Sequence, residues 1–316
     1  MRVLVTGGTG YLGRAIVRAI AERGHEPVVF ARTATRAGLP GRAIDGDVRD
    51  PAAFLAAARG VDALCHSAAL VKLWQRDSSE FDAVNVGGLE NALTITRELN
   101  LPRLVYTSSF LALPPRGAAE PIAANDYQRT KVAAHRVAMR ARDEGAPIVT
   151  LYPGVIYGPG VVTEGNLVGR LLADHRAGKL PGIVGAERIW SFAHVDDVAL
   201  GHVLALESAR PGTRYGLGGE DAPQLRAFEI MRDLTGTKLP RRLPYWLAHI
   251  AGAFEETRAR WTGRPPLITR GAVEIFRHDW IVDSQAAGRD LGYPSTPLAN
   301  GLSAVLKEFE PANRPT

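Results

Sequence analysis

The chain has 316 residues, of which 46% are hydrophobic and 22% charged, with a formal net charge of +5. These are the proportions of an ordinary globular protein with room for one large domain or two modest ones, and no fixed-period repeat suggests a solenoid or propeller. No apolar run is long enough to span a bilayer, no basic stripe marks a nucleic-acid footprint, and the eight histidines show no ligand spacing for a metal.

The single cysteine, Cys65, excludes an internal disulfide. With a strand at the very start leaving no room for a secretory signal, it points to a reducing, cytoplasmic setting.

In chain order, strands are predicted at 2–6, 27–31, 42–45, 62–66, 103–107 and 148–152, and helices at 11–23, 51–58, 79–99 and 126–144. This β-α-β-α rhythm implies a parallel sheet covered on both faces, with ligands at the carboxyl ends of its strands. The fold class is therefore α/β: a Rossmann-like doubly wound parallel sheet, followed by a smaller C-terminal substrate domain.

The first strand runs straight into Thr6-Gly7-Gly8-Thr9-Gly10-Tyr11-Leu12-Gly13, and a helical pattern begins at once. Glycines let a backbone turn tightly and approach a pyrophosphate, and the helix start offers unpaired N–H groups to the anion. The glycines read either as Gly8-Gly10-Gly13 or as Gly7-Gly10-Gly13. After the second strand, where an NAD site usually carries an acid, the chain offers Arg32 and Arg36. Guanidinium groups suit a 2′-phosphate, so NADP is expected over NAD. Asp47 and Val48, after the third strand, are placed to flank an adenine. The fourth strand ends in Cys65-His66-Ser67-Ala68-Ala69, whose small residues let the chain pass under a flat cofactor. His66 reads as a packed histidine.

Glycines 87 and 88 inside the third predicted helix suggest close packing, since each costs about 1 kcal/mol relative to alanine. Asn85, just before them, could hold a neighbouring strand end open. The fifth strand ends in Thr107-Ser108-Ser109, and Tyr127 and Lys131 follow at i and i+4 on one helix face. A nearby ammonium is expected to lower the phenol pKa from near 10, so that Tyr127 exchanges a proton with an alcohol or carbonyl near neutral pH.

Taken together and in order, these features resemble the extended short-chain dehydrogenase/reductases, the family of nucleotide-sugar epimerases and dehydratases. The resemblance extends through Tyr157-Gly158-Pro159-Gly160 and a segment at Trp190-Ser191-Phe192-Ala193-His194-Val195-Asp196-Asp197 that resembles the family's return to the cofactor domain. It implies Tyr127 as acid/base, Lys131 also on the nicotinamide ribose, and Ser109, or Ser108 one register away, on the substrate oxygen. It further implies Thr107 and Tyr152-Pro153-Gly154-Val155 at the cofactor.

The dehydratase Asp-Glu pair is missing after Thr107, and Gly154 stands where epimerases carry asparagine. The sequence is most similar to the dihydroflavonol-reductase-like branch. That implies an NADP-linked oxidoreductase for a hydrophobic or aromatic carbonyl compound, with a nucleotide-sugar epimerase holding NAD as the alternative.

Residues 1–158, with a return segment at about 188–212, are expected to bind the cofactor, and 159–316 the substrate. Trp74, Phe110, Leu111 and Trp190 are candidate substrate contacts, with Pro153 and Val155 beside them. Arg260, Arg264 and Arg270 read as a solvated face, and Trp246 to Ile250 as a core helix. No nucleic-acid or membrane partner is expected. Family analogy implies a homodimer through the helices at 79–99 and 126–144.

Overall fold

The computed structural model describes residues 1–161 and 163–308; the tail at 310–316, expected to fray, lies outside them. In chain order the strands are β1 (Arg2–Thr6), β2 (Glu26–Ala31), β3 (Arg42–Asp45), β4 (Ala63–His66), β5 (Leu104–Thr107), β6 (Ile148–Pro153), β7 (Val155–Tyr157), β8 (Ile189–His194), β9 (Arg214–Leu217) and β10 (Glu220–Pro223). The helices of the first half are α1 (Tyr11–Glu22), α2 (Pro51–Ala58), α3 (Ser79–Asp82), α4 (Gly88–Glu98) and α5 (Asp126–Asp143). Those of the second half are α6 (Leu167–Arg176), α7 (Val195–Ser208), α8 (Leu225–Thr235), α9 (Tyr245–Thr262), α10 (Arg270–Phe276), α11 (Gln285–Leu291) and α12 (Leu298–Glu308).

Seven strands form one parallel sheet in the order β3-β2-β1-β4-β5-β6-β9. Side chains alternate between its faces. Val3 and Val5 pack with Ile16, Val17 and Ile20 of α1 and with Val198 and Val203 of α7. Leu4, Leu64 and Leu104 pack with Phe54 of α2, Leu89 of α4 and Ala134 of α5. Both faces are thus covered, as near-continuous apolar strands require. Strand order reverses between β1 and β4, which opens a crevice at their carboxyl ends.

One expectation is refined and one revised. The helix at 79–99 runs through as expected, with α3 and α4 joined by a π-helical turn, Ala83–Gly87, in which Asn85 is buried. Such turns often mark functional positions. The return segment divides, because β8 pairs with β7 and β10 in a second, three-stranded sheet. Only α7, which packs on α1, and β9, which pairs with β6, rejoin the large sheet.

The stretch from Trp246 to Ile250 is no core helix. On α9 only Ala248, Gly252 and Ala259 are buried, while Trp246 is 66% and Ile250 59% exposed. Small residues on the inner face let α9 lie close to α10, leaving its large residues outside. Among the described residues no helix is long and apolar enough to cross a membrane.

Candidate active site

A cleft of about 380 Å³ runs along the carboxyl ends of β1, β2, β4, β5 and β6. Its floor is the glycine turn. Gly7 has φ +70°, and a Cβ there would lie 2.7 Å from the Ala68 backbone; a Cβ at Gly13 would overlap the Gly7 carbonyl oxygen. Gly8 instead packs under Val17 and Val29 and does not reach the cleft. The Gly7-Gly10-Gly13 reading is therefore the one the structure fits.

No side chain caps the start of α1, and Gly10, Tyr11, Leu12 and Gly13 bring that helix start to the cleft. This bare cradle and helix start fit the pyrophosphate of a dinucleotide, which Gly7, Gly10, Tyr11, Leu12 and Gly13 would hold.

Arg32, Asp47 and Val48 line the far end, as the sequence predicts. Arg49, which the sequence reading missed, lines it too and grips Asp47 through two contacts of 3.0 and 2.7 Å. This hydrogen-bonded guanidinium holds the Asp47 carboxyl below its ordinary pKa. Arg36 turns away to the surface on a short 3-10 turn and is absent from the lining. Asn91 donates to the Val48 carbonyl at 2.8 Å and fixes that wall.

Ser67, Ala68 and Ala69 line the cleft; Thr6 and Asn85 stand behind it. Thr6 Oγ1 meets His66 Nδ1 at 2.9 Å and accepts from the Ala68 N–H at 3.3 Å. Asn85 accepts from Leu70 N–H at 2.7 Å and donates to Thr130 Oγ1 at 2.9 Å, so it anchors the chain just past β4. His66, stacked between Phe54 and Tyr106, is buried and its pKa is pulled down to about 3, as befits a packed, neutral ring.

Ser109, Tyr127 and Lys131 converge on the near wall with Thr107, Ser108, Phe110 and Leu111. Asn125 caps α5 by accepting from Gln128 N–H at 2.8 Å. The buried Gln128 side chain donates to the Leu111 carbonyl at 3.3 Å, tying the turn after β5 to the start of α5. That tie sets Ser109 against Tyr127, whose phenol it hydrogen-bonds.

Lys131 is 3% exposed and donates to the Thr107 carbonyl at 3.2 Å; its Nζ lies 6.0 Å from the Tyr127 ring centroid. Thr107 Oγ1 is in turn held by His202 of α7 at 2.8 Å.

The expected electrostatics are reversed. Burial pushes the Tyr127 phenol up to about 12, only partly opposed by the Ser109 hydrogen bond, and pulls Lys131 down to about 8. The lysine lies over the ring faces of Tyr106 and Tyr127 with its proton on a backbone carbonyl, so desolvation of both groups outweighs their attraction. Tyr127 is therefore protonated at neutral pH, poised to donate.

Pro153, Gly154 and Val155 line the cleft beside this wall, but Tyr152 does not. Its hydroxyl meets His135 Nδ1 at 3.0 Å, one turn along α5 from Lys131. Two substrate candidates are also corrected. Trp190 is 2% exposed; its indole N–H donates to the His278 carbonyl and its ring stacks on Phe276 at 5.0 Å. It backs Phe110 from behind, at 6.3 Å. Trp74 stays out of the lining because its loop is tethered by Leu73 N–H to Glu164. Leu70, Val71, Ile156 and Leu167 supply the apolar lining instead. The apolar Leu70–Val71 pair was the available signal; Leu167 carried none.

The sequence model of the NAD-dependent epimerase/dehydratase family matches residues 3–218. A 2-alkyl-3-oxoalkanoate reductase of Stenotrophomonas maltophilia is 31% identical, covering 96% of this chain and 97% of its own. A Stigmatella aurantiaca ketoreductase of a farnesylated dihydroquinoline oxide is 27% identical over 99% of this chain and 98% of its own. The crystal structure of gox2253 superposes with a TM-score of 0.81 at 29% identity, covering 97% of each chain. The chain belongs to the NAD-dependent epimerase/dehydratase family, as an extended short-chain dehydrogenase/reductase with reductases among its relatives and a nicotinamide cofactor as the family's reagent.

Proposed function

We propose that this protein is an NADP(H)-dependent reductase of hydrophobic or aromatic carbonyl compounds. The observation that carries the reading is one cleft with two ends. Ser109, Tyr127 and Lys131 meet at one end; Arg32 and Arg49 stand at the other, where the acid Asp47 is already held by Arg49. Strands β2 and β5 are three strand spacings apart, roughly 14 Å, which matches an extended dinucleotide.

The cofactor, when bound, supplies the hydride. The chain does the rest. Arg32 and Arg49 would hold the 2′-phosphate, and Lys131 would hold the nicotinamide ribose hydroxyls. Ser109 holds the substrate oxygen, and Tyr127 gives it a proton. A phenol pushed up to about 12 holds its proton at neutral pH, the form a proton donor needs. The apolar lining from Leu70, Val71, Phe110, Leu111, Val155 and Leu167 selects a hydrophobic substrate.

Residues 1–158 with the return near 188–212 serve the cofactor in this reading, and 159–316 the substrate. Pairing of two copies through α4 and α5 belongs to the same reading and is checked by light scattering.

Initial rates with NADPH and NADH on a panel of aromatic aldehydes and ketones test the proposal. NADPH should be strongly preferred; equal or better use of NADH overturns the cofactor assignment. The alternative, an epimerase with retained NAD, would be supported by nucleotide that co-purifies with the protein. Against it, a Cβ at Gly154 would lie 2.5 Å from the Ser191 carbonyl oxygen, so the epimerase asparagine has no room here.

A further inference from the structure

Helix α9 presents an apolar face that nothing among the described residues covers. Six of the eleven exposed large hydrophobic residues among those described fall between 246 and 267: Trp246, Leu247, Ile250, Phe254, Trp261 and Leu267, the last two 88% and 85% exposed. At 100° per residue, Trp246, Ile250, Trp261, Phe254 and Leu247 occupy one arc of about 100°, directly opposite the buried Ala248, Gly252 and Ala259. Thr257 lies inside that arc, Ala253 borders one edge and Arg258, paired with Glu255, borders the other, so no charge falls within it. From Trp246 to Trp261 the stripe is about 22 Å long.

The charges around the stripe are one-sided. The only carboxylates on α9, Glu255 and Glu256, are already paired with Arg258 at 2.7 Å and Arg270 at 2.8 Å. Arg260 and Arg264 at one end, and Arg241 and Arg242 just before the other, form no ion pair among the described residues, and all four are exposed. A second copy seated face to face would set these arginines against their own kind, with no unpaired α9 carboxylate to meet them. An anionic lipid surface meets both features at once: aromatic and aliphatic side chains enter the acyl boundary, and flanking guanidiniums reach the headgroups.

We propose that α9 docks this protein on the surface of an anionic membrane, as a helix lying in the interface without crossing it. The position relative to the cleft gives this a use. The inner face of α9 packs on α10. The start of α10 packs in turn on Ala124 and Asn125, at the cap of the helix that carries Tyr127. One helix therefore separates the docking face from the catalytic wall, which suits a hydrophobic substrate drawn from a bilayer.

The test is co-sedimentation of the full chain with vesicles of phosphatidylglycerol and phosphatidylcholine, or of phosphatidylcholine alone, with tryptophan emission as a second readout. Binding to the mixed vesicles is expected, with a blue shift, at least about tenfold stronger than to neutral vesicles and weakened by salt. The variant W246Q/F254Q/W261Q should lose binding and the blue shift while keeping the wild-type melting temperature. R260E/R264E should lose the preference for anionic vesicles. No binding to anionic vesicles overturns the proposal. So does a wild-type dimer in light scattering that the glutamine variant converts to monomer without any vesicle binding, since a second copy would then cover the face.

Discussion

Replacing Lys131 with methionine should make the protein more stable and less active. The ammonium is 3% exposed, and burial lowers its pKa from 10.5 to about 8. At about 1.4 kcal/mol per unit, folding disfavours the charged form by roughly 3 kcal/mol. Methionine fills similar space without that charge and gives up one hydrogen bond to the Thr107 carbonyl, worth about 1 kcal/mol. A net gain of ~2 kcal/mol at pH 7 follows. The pH dependence fixes the cause. A lysine depressed in the folded state is protonated in both states below about pH 8, so the wild type carries the full penalty there. It sheds the penalty as pH rises from about 8 to 10.5, and the methionine variant has none to shed. Urea melts of both proteins from pH 7 to pH 10.5 should show the variant's advantage shrink, pass through zero and reverse towards ~1 kcal/mol in favour of wild type, whose neutral amine keeps its hydrogen bond, while carbonyl reduction by the variant falls about 100-fold or more. A variant less stable than wild type at pH 7, or a difference that ignores pH, would refute the assignment of a desolvated, charged lysine.

Tyr127→Phe removes the proton donor and should cut reduction by roughly 10²–10⁴-fold with an unchanged melt; wild-type turnover would sink the acid role. Arg32→Ala should weaken NADPH binding about 10- to 100-fold, read by fluorescence titration, and leave NADH nearly untouched. Equal losses for both cofactors would remove Arg32 from the 2′-phosphate. Asn85→Ala should destabilise by about 2–3 kcal/mol in urea melts, because it strands the Leu70 N–H. A change within the error of the measurement would mean that water replaces the amide without loss. Gly13→Ala, whose Cβ would overlap the Gly7 carbonyl, should abolish dinucleotide binding; a titration like wild type would contradict the tight turn.

The sequence alone determined the large sheet and most of the cleft. Short continuous apolar runs, glycine turns and helical patterns are local signals, and the element starts and ends follow them within a residue or two over the first 150 positions. The glycine cradle, Arg32, Ser109, Tyr127 and Lys131 were legible for the same reason: each sits directly after a strand or on the first turns of a helix. Tertiary structure decided what depends on neighbours distant in sequence. The ionisation of Tyr127 and Lys131 could not be read from their i, i+4 spacing, because burial, with Lys131 set against Tyr106 and the Thr107 carbonyl of β5, outweighs the attraction between them. Arg49 joined the site, and Trp190 and Tyr152 left it, because strand alternation and packing choose which way a side chain faces. The outward stripe of α9 was hidden by its composition: an apolar helix reads as core until its inner face is found occupied by Ala248, Gly252 and Ala259.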